Sequence, residues 1–218
     1  DALTAETGIP VVIDAAAAFG SQPIGATTAA VYSLHATKNL GIGEGGIVAG
    51  ADPGFIDRIR KTSNFGLEAG GIRHIGTNAK LSEYHAAVGL AMLERWQRRK
   101  EVKRRLFQAY RNRLDGLKRP LLYQAGVEQI IPPLLAVRLP EQNDLAGLAE
   151  RLREQGIHTR RWYHPPLHQH PAFAEVPRAG DLPVTRRIAN QILGLPFHLE
   201  ITPADMDYTM LWLDRLRS

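Results

Sequence analysis

The residue best placed to do chemistry is a lysine that follows an apolar strand and precedes a run of glycines. Lys38 comes four residues after the predicted strand Ala29–Leu34 and just before the glycines at positions 41–46. Its amine would lie against the end of a sheet, where desolvation lowers a lysine pKa and supplies the neutral amine that carbonyl chemistry requires. A phosphate-binding loop is the alternative, but the Walker pattern of spaced glycines before Gly-Lys-Ser/Thr is absent.

A carboxylate ends the preceding apolar strand. The segment Val11-Val-Ile-Asp14 is followed by four alanines, residues 15–18, which are too small to fill the space beside Asp14. In open α/β sheets, ligands bind outside the carboxyl ends of the strands. The motif therefore predicts that Asp14 either faces a ligand or caps the next turn, and the motif alone does not choose between the two.

Four histidines are candidate metal ligands, because imidazole is a common ligand. The candidates are His35, His164, His168 and His170. The last three lie in a proline-rich loop without a carboxylate at ligand spacing, so no metal site is expected. The sequence has no cysteine, which excludes disulfides, thiolate ligands and a cysteine nucleophile and fits a reducing cytoplasm.

Short apolar segments bounded by turn signals must position these residues. They predict three buried strands, at Ile9–Ile13, Ala29–Leu34 and Gly46–Ala49. Asp52 and Pro53 predict the start of a helix, as its N-cap and its first residue. The glycines from Gly66 to Gly76 predict a loop with special backbone conformations.

The second half of the chain predicts a small α+β domain. A helical pattern from Ser82 to about Leu117 is too long for one layer and is expected to join two domains. Beyond it we expect strands at Pro132–Leu139 and Ile157–Tyr163, and helices at Asp144–Gln155, Leu182–Leu193 and Pro203–Leu216. Thr202 is the expected N-cap of the last helix. Trp162 and Tyr163 are expected to pack in the small-domain core, with stacking on a sugar or base as the less favoured alternative.

Much of the net charge of +5 lies between Arg95 and Arg105, followed by apolar residues at helical spacing. This pattern predicts an amphipathic helix with a solvated basic face. Nucleic-acid binding is the less favoured alternative, because no aromatic interleaving or known binding motif accompanies the charge. No run of 18 apolar residues and no signal-peptide pattern occurs, so we expect neither a membrane span nor export, but a cytoplasmic protein.

Five motifs in order give a family resemblance. They are Val12-Ile-Asp-Ala-Ala-Ala-Ala-Phe-Gly20, Tyr32-Ser-Leu-His-Ala-Thr-Lys-Asn-Leu40 with Gly43-Glu-Gly-Gly46, Gly76-Thr-Asn-Ala-Lys-Leu-Ser-Glu83, Arg161-Trp-Tyr-His-Pro-Pro-Leu-His168 and Leu193-Gly-Leu-Pro-Phe197. Over nearly its whole length the sequence resembles the DegT/DnrJ/StrS sugar aminotransferases, which are fold-type I enzymes of pyridoxal 5'-phosphate (PLP). The resemblance implies an α/β fold: part of the PLP-binding large domain at 1–94, a connecting helix at 95–117 and a small α+β domain at 118–218.

The resemblance also implies roles for cofactor-binding residues. Lys38 would form the covalent link with PLP and shuttle a proton, and Asp14 would keep the pyridine nitrogen protonated, so that the cofactor acts as an electron sink. Ser33 matches the family's phosphate-contacting serine. Asn78 matches an asparagine that reaches the cofactor phosphate of the neighbouring subunit, which implies a homodimer with shared sites.

For the substrate, the resemblance implies a pocket bordered by His164 and His168, with simple exposure of both to solvent as the alternative. It also implies a basic residue near the substrate at Lys80, for which a surface role is an equal alternative. The implied reaction transfers an amino group, from glutamate, to a keto-sugar attached to a nucleotide. A PLP-dependent sugar dehydratase is the enzymatic alternative, but there a histidine typically replaces the lysine. A truncated remnant that acts only as a folding or dimerisation unit is the other alternative.

Two departures from the family bear on these expectations. Many members carry Gln or His three residues after the aspartate, in contact with the cofactor's ring hydroxyl, where this sequence has Ala17. Family members also begin well over a hundred residues earlier, so this sequence is expected to start in mid-domain and to lack part of the cofactor cradle. On its own it is expected to bind PLP weakly.

Overall fold

The computed structural model describes residues 1–140 and 144–217, and the chain divides into two compact units, Asp1–Glu101 and Val102–Ser218. The predicted domain boundaries, after residues 94 and 117, stay a proposal. Residues 141–143 and Ser218 belong to the predicted small domain but lie outside the described residues.

The first unit contains the three predicted strands and the predicted helix after Pro53. Its helices are α1 Ala2–Thr7, α2 Pro53–Ser63 and α3 Glu83–Glu94, and its strands are β1 Val11–Asp14, β2 Thr28–Ser33, β3 Gly46–Gly50, β4 Leu67–Glu68 and β5 Gly71–Ile72. Asp52 caps α2 as expected, because its carboxylate accepts hydrogen bonds from Gly54 N (2.8 Å) and Phe55 N (3.2 Å). The short hairpin of β4 and β5 was not predicted.

The strands β1, β2 and β3 form a mixed sheet in that order, with β1 parallel and β3 antiparallel to β2. Because side chains alternate between the faces of a strand, Ala30 and Tyr32 are buried on one face. On the opposite face Val12 is 55% exposed and Val31 37% exposed. Asp14 therefore lies at the carboxyl end of β1 on a sheet face that is open in this chain.

The predicted continuous helix from Ser82 to Leu117 is wrong at one point. Helix α3 ends at Glu94, Arg95 has φ −91° and ψ 1°, and α4 runs from Trp96 to Asp115. No glycine or proline lies next to Arg95, so no local signal in the sequence predicts the break between the two helices. Trp96 packs edge-on against Phe19, with ring centroids 5.0 Å apart.

The second unit is an α+β arrangement around an antiparallel sheet in the order β6-β7-β8. Besides the continuation of α4, it contains β6 Leu122–Tyr123, β7 Leu135–Arg138, α5 Leu145–Glu154, α6 Pro183–Ala189, β8 Ile192–Leu195 and α7 Pro203–Leu216. Four α4 residues that follow the basic stretch at helical spacing, Leu106, Phe107, Tyr110 and Leu114, are buried in its core. Thr202 is the predicted N-cap of α7 and forms a capping box with Asp205.

Two predictions for the second unit are wrong. Residues 157–163 form no strand, since only Arg160 bridges to Gly194, and the Trp162 ring packs directly over that glycine. The helix predicted over Leu182–Leu193 ends at Ala189, and its last residues belong to the strand β8, whose register with β7 buries Leu193. Trp162 thus packs as expected, whereas Tyr163 is 72% exposed.

Candidate active site

Lys38 lies in the connection between β2 and β3, residues 34–46, which we call the lysine loop. Main-chain hydrogen bonds join its two arms: Leu34 N to Gly45 O (2.9 Å), Ala36 N to Gly43 O (2.8 Å) and Ile42 N to Leu34 O (2.9 Å). The Lys38 side chain is half-buried and makes no hydrogen bond or ion pair with any other described residue. Its amine is therefore available to a ligand.

Asp14 and Ser33 share the open face of the sheet. The Cα atom of Asp14 pairs with that of Val31, and Ser33 follows two residues later on the same face of β2. Asp14 Oδ1 accepts a hydrogen bond from Ala16 N at 3.0 Å, so the carboxylate does cap the next turn. Asp14 is nevertheless exposed, and Oδ2 has no partner in the described parts of the chain, so capping leaves this oxygen for a ligand.

The Ser33 hydroxyl is oriented by its own loop. Ser33 Oγ accepts a hydrogen bond from His35 N at 3.2 Å, which leaves the hydroxyl hydrogen free to be donated. The neighbouring imidazole is held in turn, with His35 Nδ1 2.9 Å from Thr37 Oγ1 and Nε2 3.7 Å from the carboxylate of Glu44. A hydroxyl donor of this kind suits an anionic ligand at the end of β2.

Asn39 contributes to the geometry, although sequence reasoning did not single it out. It is 1% exposed, and its Nδ2 atom donates to the main-chain oxygen of Phe19 across 3.5 Å. Leu40, the next residue, is completely buried. Burial of the pair directly after Lys38 anchors the lysine loop to the turn that follows Asp14.

Asn78 and Lys80 lie in a second loop of the first unit, residues 64–80, which we call the glycine-rich loop. Asn78 is exposed, and its side chain has no partner among the residues that the structure describes. Lys80 Nζ instead donates to Asn64 Oδ1 at 2.9 Å and lies 4.4 Å from the centroid of the Phe65 ring. The ammonium group of Lys80 is therefore engaged within its own loop.

Ion pairs hold the glycine-rich loop to α2. Lys61 Nζ lies 2.8 Å from both Asp57 Oδ2 and Glu68 Oε2, and Glu68 Oε1 lies 2.9 Å from His74 Nε2. Hydrogen bonds from Lys61 hold the pKa values of Asp57 and Glu68 below their ordinary range. The same bonds, first to Asp57 and then to Glu68, raise the pKa of Lys61. Lys61 and the carboxylates of Asp57 and Glu68 are therefore charged at neutral pH, and their ion pairs fix the position from which the loop projects.

The glycine-rich loop presents apolar side chains to solvent, a set that we call the apolar loop surface. Its members and their exposed fractions are Phe65 (44%), Leu67 (46%), Ile72 (70%) and Ile75 (101%). Scattered exposed apolar residues are ordinary, but several on one ordered loop are typical of an interaction surface. The loop that carries Asn78 therefore also carries a candidate contact surface.

His168 belongs to the second unit. Its Nε2 atom is buried without a hydrogen-bond partner in the described structure, and the residue lines a cavity of about 440 Å³ with Phe173, Val176 and Arg178. The nearby His164 is exposed, and partial desolvation together with the charge of Arg161 lowers its pKa. His168 therefore lines the cavity, whereas its Nε2 atom is itself a buried polar atom without a partner among the described residues.

Two of the sequence predictions concern metal binding and membrane spans, and the described residues bear on both. Within residues 1–140 and 144–217, no group of three or more His, Asp or Glu side chains could hold a metal ion. No helix in that part of the chain has the length and apolarity needed to cross a membrane.

Solved structures with a similar fold include a putative PLP-dependent aminotransferase from Bacillus cereus, with a TM-score of 0.85 at 29% identity over 97% of this chain and 60% of that one. A TM-score of 0.86 relates the chain to DesV from Streptomyces venezuelae, solved with a ketimine intermediate, at 28% identity over 100% of this chain and 60% of that one. DesI, solved in the presence of its TDP-sugar product, gives a TM-score of 0.83 at 29% identity over 99% of this chain and 57% of the other. The fold is therefore that of part of a PLP-dependent aminotransferase.

The chain belongs to the DegT/DnrJ/EryC1/StrS aminotransferase family, whose model matches residues 1–213. It is 34% identical over 214 residues to Rv3402c of Mycobacterium tuberculosis and 33% identical over 224 residues to dTDP-3-amino-3,4,6-trideoxy-alpha-D-glucose transaminase of Streptomyces venezuelae. These matches cover 94% and 96% of the chain but 52% and 58% of the relatives. The chain thus spans a little over half the length of these relatives.

Proposed function

We propose that the protein is a PLP-dependent aminotransferase that transfers an amino group from glutamate to a nucleotide-linked keto-sugar. The observation that carries the proposal is the arrangement at the carboxyl edge of β1 and β2: the exposed carboxylate of Asp14, the donor hydroxyl of Ser33 and the unpartnered amine of Lys38. Membership of the family supports the reaction class. The relatives' names support a sugar substrate, and glutamate rests on the resemblance alone.

The groups present fit PLP, which has an aldehyde, a basic ring nitrogen and a phosphate. An amine suits the aldehyde, a carboxylate suits the protonated ring nitrogen, and a hydroxyl suits the phosphate. Asp14 meets its requirement because Oδ2 stays open while Oδ1 caps the turn. Ala17, which is exposed and carries only a methyl group, can donate nothing to the ring hydroxyl, so that contact is left to another residue.

Each residue then has a defined task. PLP, when bound, supplies an electron sink for the substrate carbon that gains or loses the amino group. Lys38 would hold the cofactor through its aldehyde group, and its Nζ would be the group that carries a proton during the reaction. Asp14 holds the proton on the ring nitrogen, because a nearby carboxylate favours the cationic ring. Ser33 orients the phosphate by donating its hydroxyl hydrogen.

Covalent capture of the cofactor tests the role of Lys38. In the full-length protein incubated with PLP, borohydride reduction followed by peptide mass spectrometry is expected to place the label on Lys38. The Lys38→Ala variant should lose both the label and the absorbance of the bound cofactor, while Lys118→Ala, an exposed lysine of the second unit, should lose neither. Unchanged absorbance in Lys38→Ala would remove Lys38 from this role.

The amino donor and acceptor can be tested separately. With excess glutamate and no acceptor, the absorbance of the bound cofactor should shift in a single turnover, and adding a nucleotide-linked keto-sugar should reverse it. A shift with another amino acid but not with glutamate would overturn the donor assignment. Reversal by simple 2-oxo acids but by no keto-sugar would overturn the acceptor assignment.

A homodimer with shared sites is part of the proposal. Asn78 is exposed with a free side chain, and its loop bears the apolar loop surface, which is the arrangement expected of a residue that acts in a neighbouring site. The proposal includes a cytoplasmic location, which the absence of cysteine suits.

Mixed dimers of two inactive variants test the sharing. If Asn78 serves the neighbour, a mixed dimer of Lys38→Ala and Asn78→Ala protomers has one intact site, so an equal, randomly exchanged mixture should regain about a quarter of wild-type activity. If Asn78 serves its own subunit, both sites of the mixed dimer are defective. No recovery after subunit exchange would then contradict the shared site.

The two residues assigned to substrate have different support. The cavity that His168 lines offers the cation of Arg178, which suits an anionic group of a sugar nucleotide. Lys80 is bound to Asn64 and would have to release it to reach a substrate. We therefore expect His168→Ala to raise KM for the sugar nucleotide, and Lys80→Ala to have the smaller effect.

A further inference from the structure

The returning arm of the lysine loop packs closely against the segment that begins α3. A Cβ atom at Gly43 would lie 3.2 Å from His85 Nε2, and one at Gly45 would lie 2.7 Å from Leu81 Cδ1. Both glycines have positive φ, 110° and 142°, so a side chain there would meet backbone strain as well as these neighbours. The close approach is therefore built into the loop.

Hydrogen bonding fixes how the His85 ring presents itself to Gly43. Ser82 Oγ accepts a hydrogen bond from His85 N at 3.2 Å as the N-cap of α3, and it also lies 2.8 Å from His85 Nδ1. The Ser82 hydroxyl has one hydrogen and two acceptor lone pairs, so beside the backbone bond it can donate to Nδ1 or accept from Nδ1–H. With either tautomer the ring is held with Nε2 towards the lysine loop.

The contact reaches Lys38 through the loop's own hydrogen bonds. Gly43 O accepts from Ala36 N at 2.8 Å, and Ile42 N donates to Leu34 O at 2.9 Å. These two bonds join the outgoing and returning arms of the loop at the base of the turn that carries Lys38. A shift of Gly43 away from α3 would loosen both bonds. The strand register, by contrast, constrains β2 only as far as Ser33.

We infer that His85 is a positioning residue that holds the lysine loop, and with it the amine of Lys38, in place. The inference rests on the proposed function, because the proposed reaction requires the Lys38 amine in a defined position. His85 acts through Gly43 and does not itself touch the reacting atoms. A purely local role, stabilising the first turn of α3, is the competing explanation, and it predicts a different response to substitution.

Hydrogen–deuterium exchange of the full-length protein without PLP separates the two roles. In His85→Ala, peptides covering residues 34–46 should exchange about tenfold faster, as expected when a local contact that holds a loop is removed. His85→Gln, which keeps a polar side chain of similar reach in the space beside Gly43, should restore protection to within about threefold of wild type. The matched control is Glu83→Ala, which weakens the same first turn of α3 without touching the loop.

Equal acceleration in Glu83→Ala and His85→Ala, or none in either, would overturn the inference. If His85→Ala does not fold, His85→Leu is measured instead: it fills part of the space beside Gly43 but cannot bond to Ser82, and faster exchange at residues 34–46 is again expected. A second readout is the rate of reductive methylation of Lys38 in the same variants, expected to rise with His85→Ala and to be rescued by glutamine. Neither measurement needs bound PLP, so failure of the aminotransferase proposal would appear separately, as a failure to label Lys38.

Discussion

Asn39 Nδ2 donates a hydrogen bond to the main-chain oxygen of Phe19 across 3.5 Å, with Asn39 itself 1% exposed. This contact joins the residue after Lys38 to the turn that follows Asp14. The parallel pairing of β1 and β2 fixes the chain only as far as the strand ends, whereas Lys38 lies five residues beyond Ser33. Buried side-chain contacts must therefore relate the proposed lysine to the proposed carboxylate.

Replacing Asn39 with alanine should lower stability and loosen cofactor binding together. Removing a buried hydrogen-bonding partner costs about 1–3 kcal/mol, since the other partner is left unsatisfied. The matched control is Asn112→Ala, an exposed α4 residue that accepts from Gln108 Nε2 at 2.8 Å, which should change stability by less than about 0.5 kcal/mol. Thermal unfolding and PLP titration of both variants measure these effects, and equal losses in the two would contradict the role of Asn39.

The parts of the site that sequence reasoning located depend on short patterns. An apolar strand ending on Asp14, and another leading through Ser33 to Lys38 and glycines, are local signals that need no knowledge of distant contacts. Asn39 gave no such signal, because a polar residue in a glycine-rich connection is usually exposed. Its burial depends on Phe19, which is 20 residues away.

The two incorrectly predicted segments, residues 157–163 and the end of the helix at Leu193, also depend on contacts with residues far away in the sequence. Leu193 belongs to a strand because β8 pairs with β7, more than 50 residues earlier, while its local pattern also suits a helix. Residues 157–163 are apolar enough for a strand, but Trp162 packs over Gly194 and the chain continues into Pro165 and Pro166, which cannot donate ladder hydrogen bonds. Packing against residues distant in the sequence therefore determines the secondary structure of both segments.

Gly66→Ala should disrupt the glycine-rich loop more than Gly70→Ala. Both glycines have positive φ, 71° and 88°, which costs a side chain about 1–2 kcal/mol. A Cβ atom at Gly66 would also collide with the main-chain oxygen of His74, whereas at Gly70 the nearest neighbour is a flexible arginine tip at 3.6 Å. The Gly66 variant should therefore show the larger fall in thermal midpoint; the same fall in both would mean that backbone strain alone matters there.

The ion pairs of the glycine-rich loop should make its stability depend on pH at the acid end. The pKa of Glu68 is lower in the folded chain than in the unfolded chain, because Lys61 and His74 favour the carboxylate. Its stabilising effect is present above the unfolded value and disappears as pH falls through the lowered folded value. Wild type should thus melt above Glu68→Gln at pH 7, and this gap should close as pH falls through the lowered folded pKa of Glu68.

Glu6→Gln on α1 is the control for that measurement and should show no such gap. A gap between wild type and Glu68→Gln that persists unchanged at acid pH would show that packing, not charge, is the source of the difference. At the alkaline end the sign reverses for Lys61, whose raised pKa gives stabilisation that is lost as pH rises through the folded value.

Substitution of Ile72 and Ile75 with serine should weaken self-association without destabilising the chain itself. Both side chains are largely exposed, 70% and 101%, so the isolated chain loses no burial when they become polar. If a second copy covers them, each contributes about 1.5–3 kcal/mol, and the dimer Kd should rise by roughly 10–100-fold per residue. Leu3→Ser on α1, 58% exposed, is the matched control. Sedimentation of the three variants measures Kd, and equal values for all would place the dimer interface elsewhere and leave Asn78 without a neighbouring site to serve.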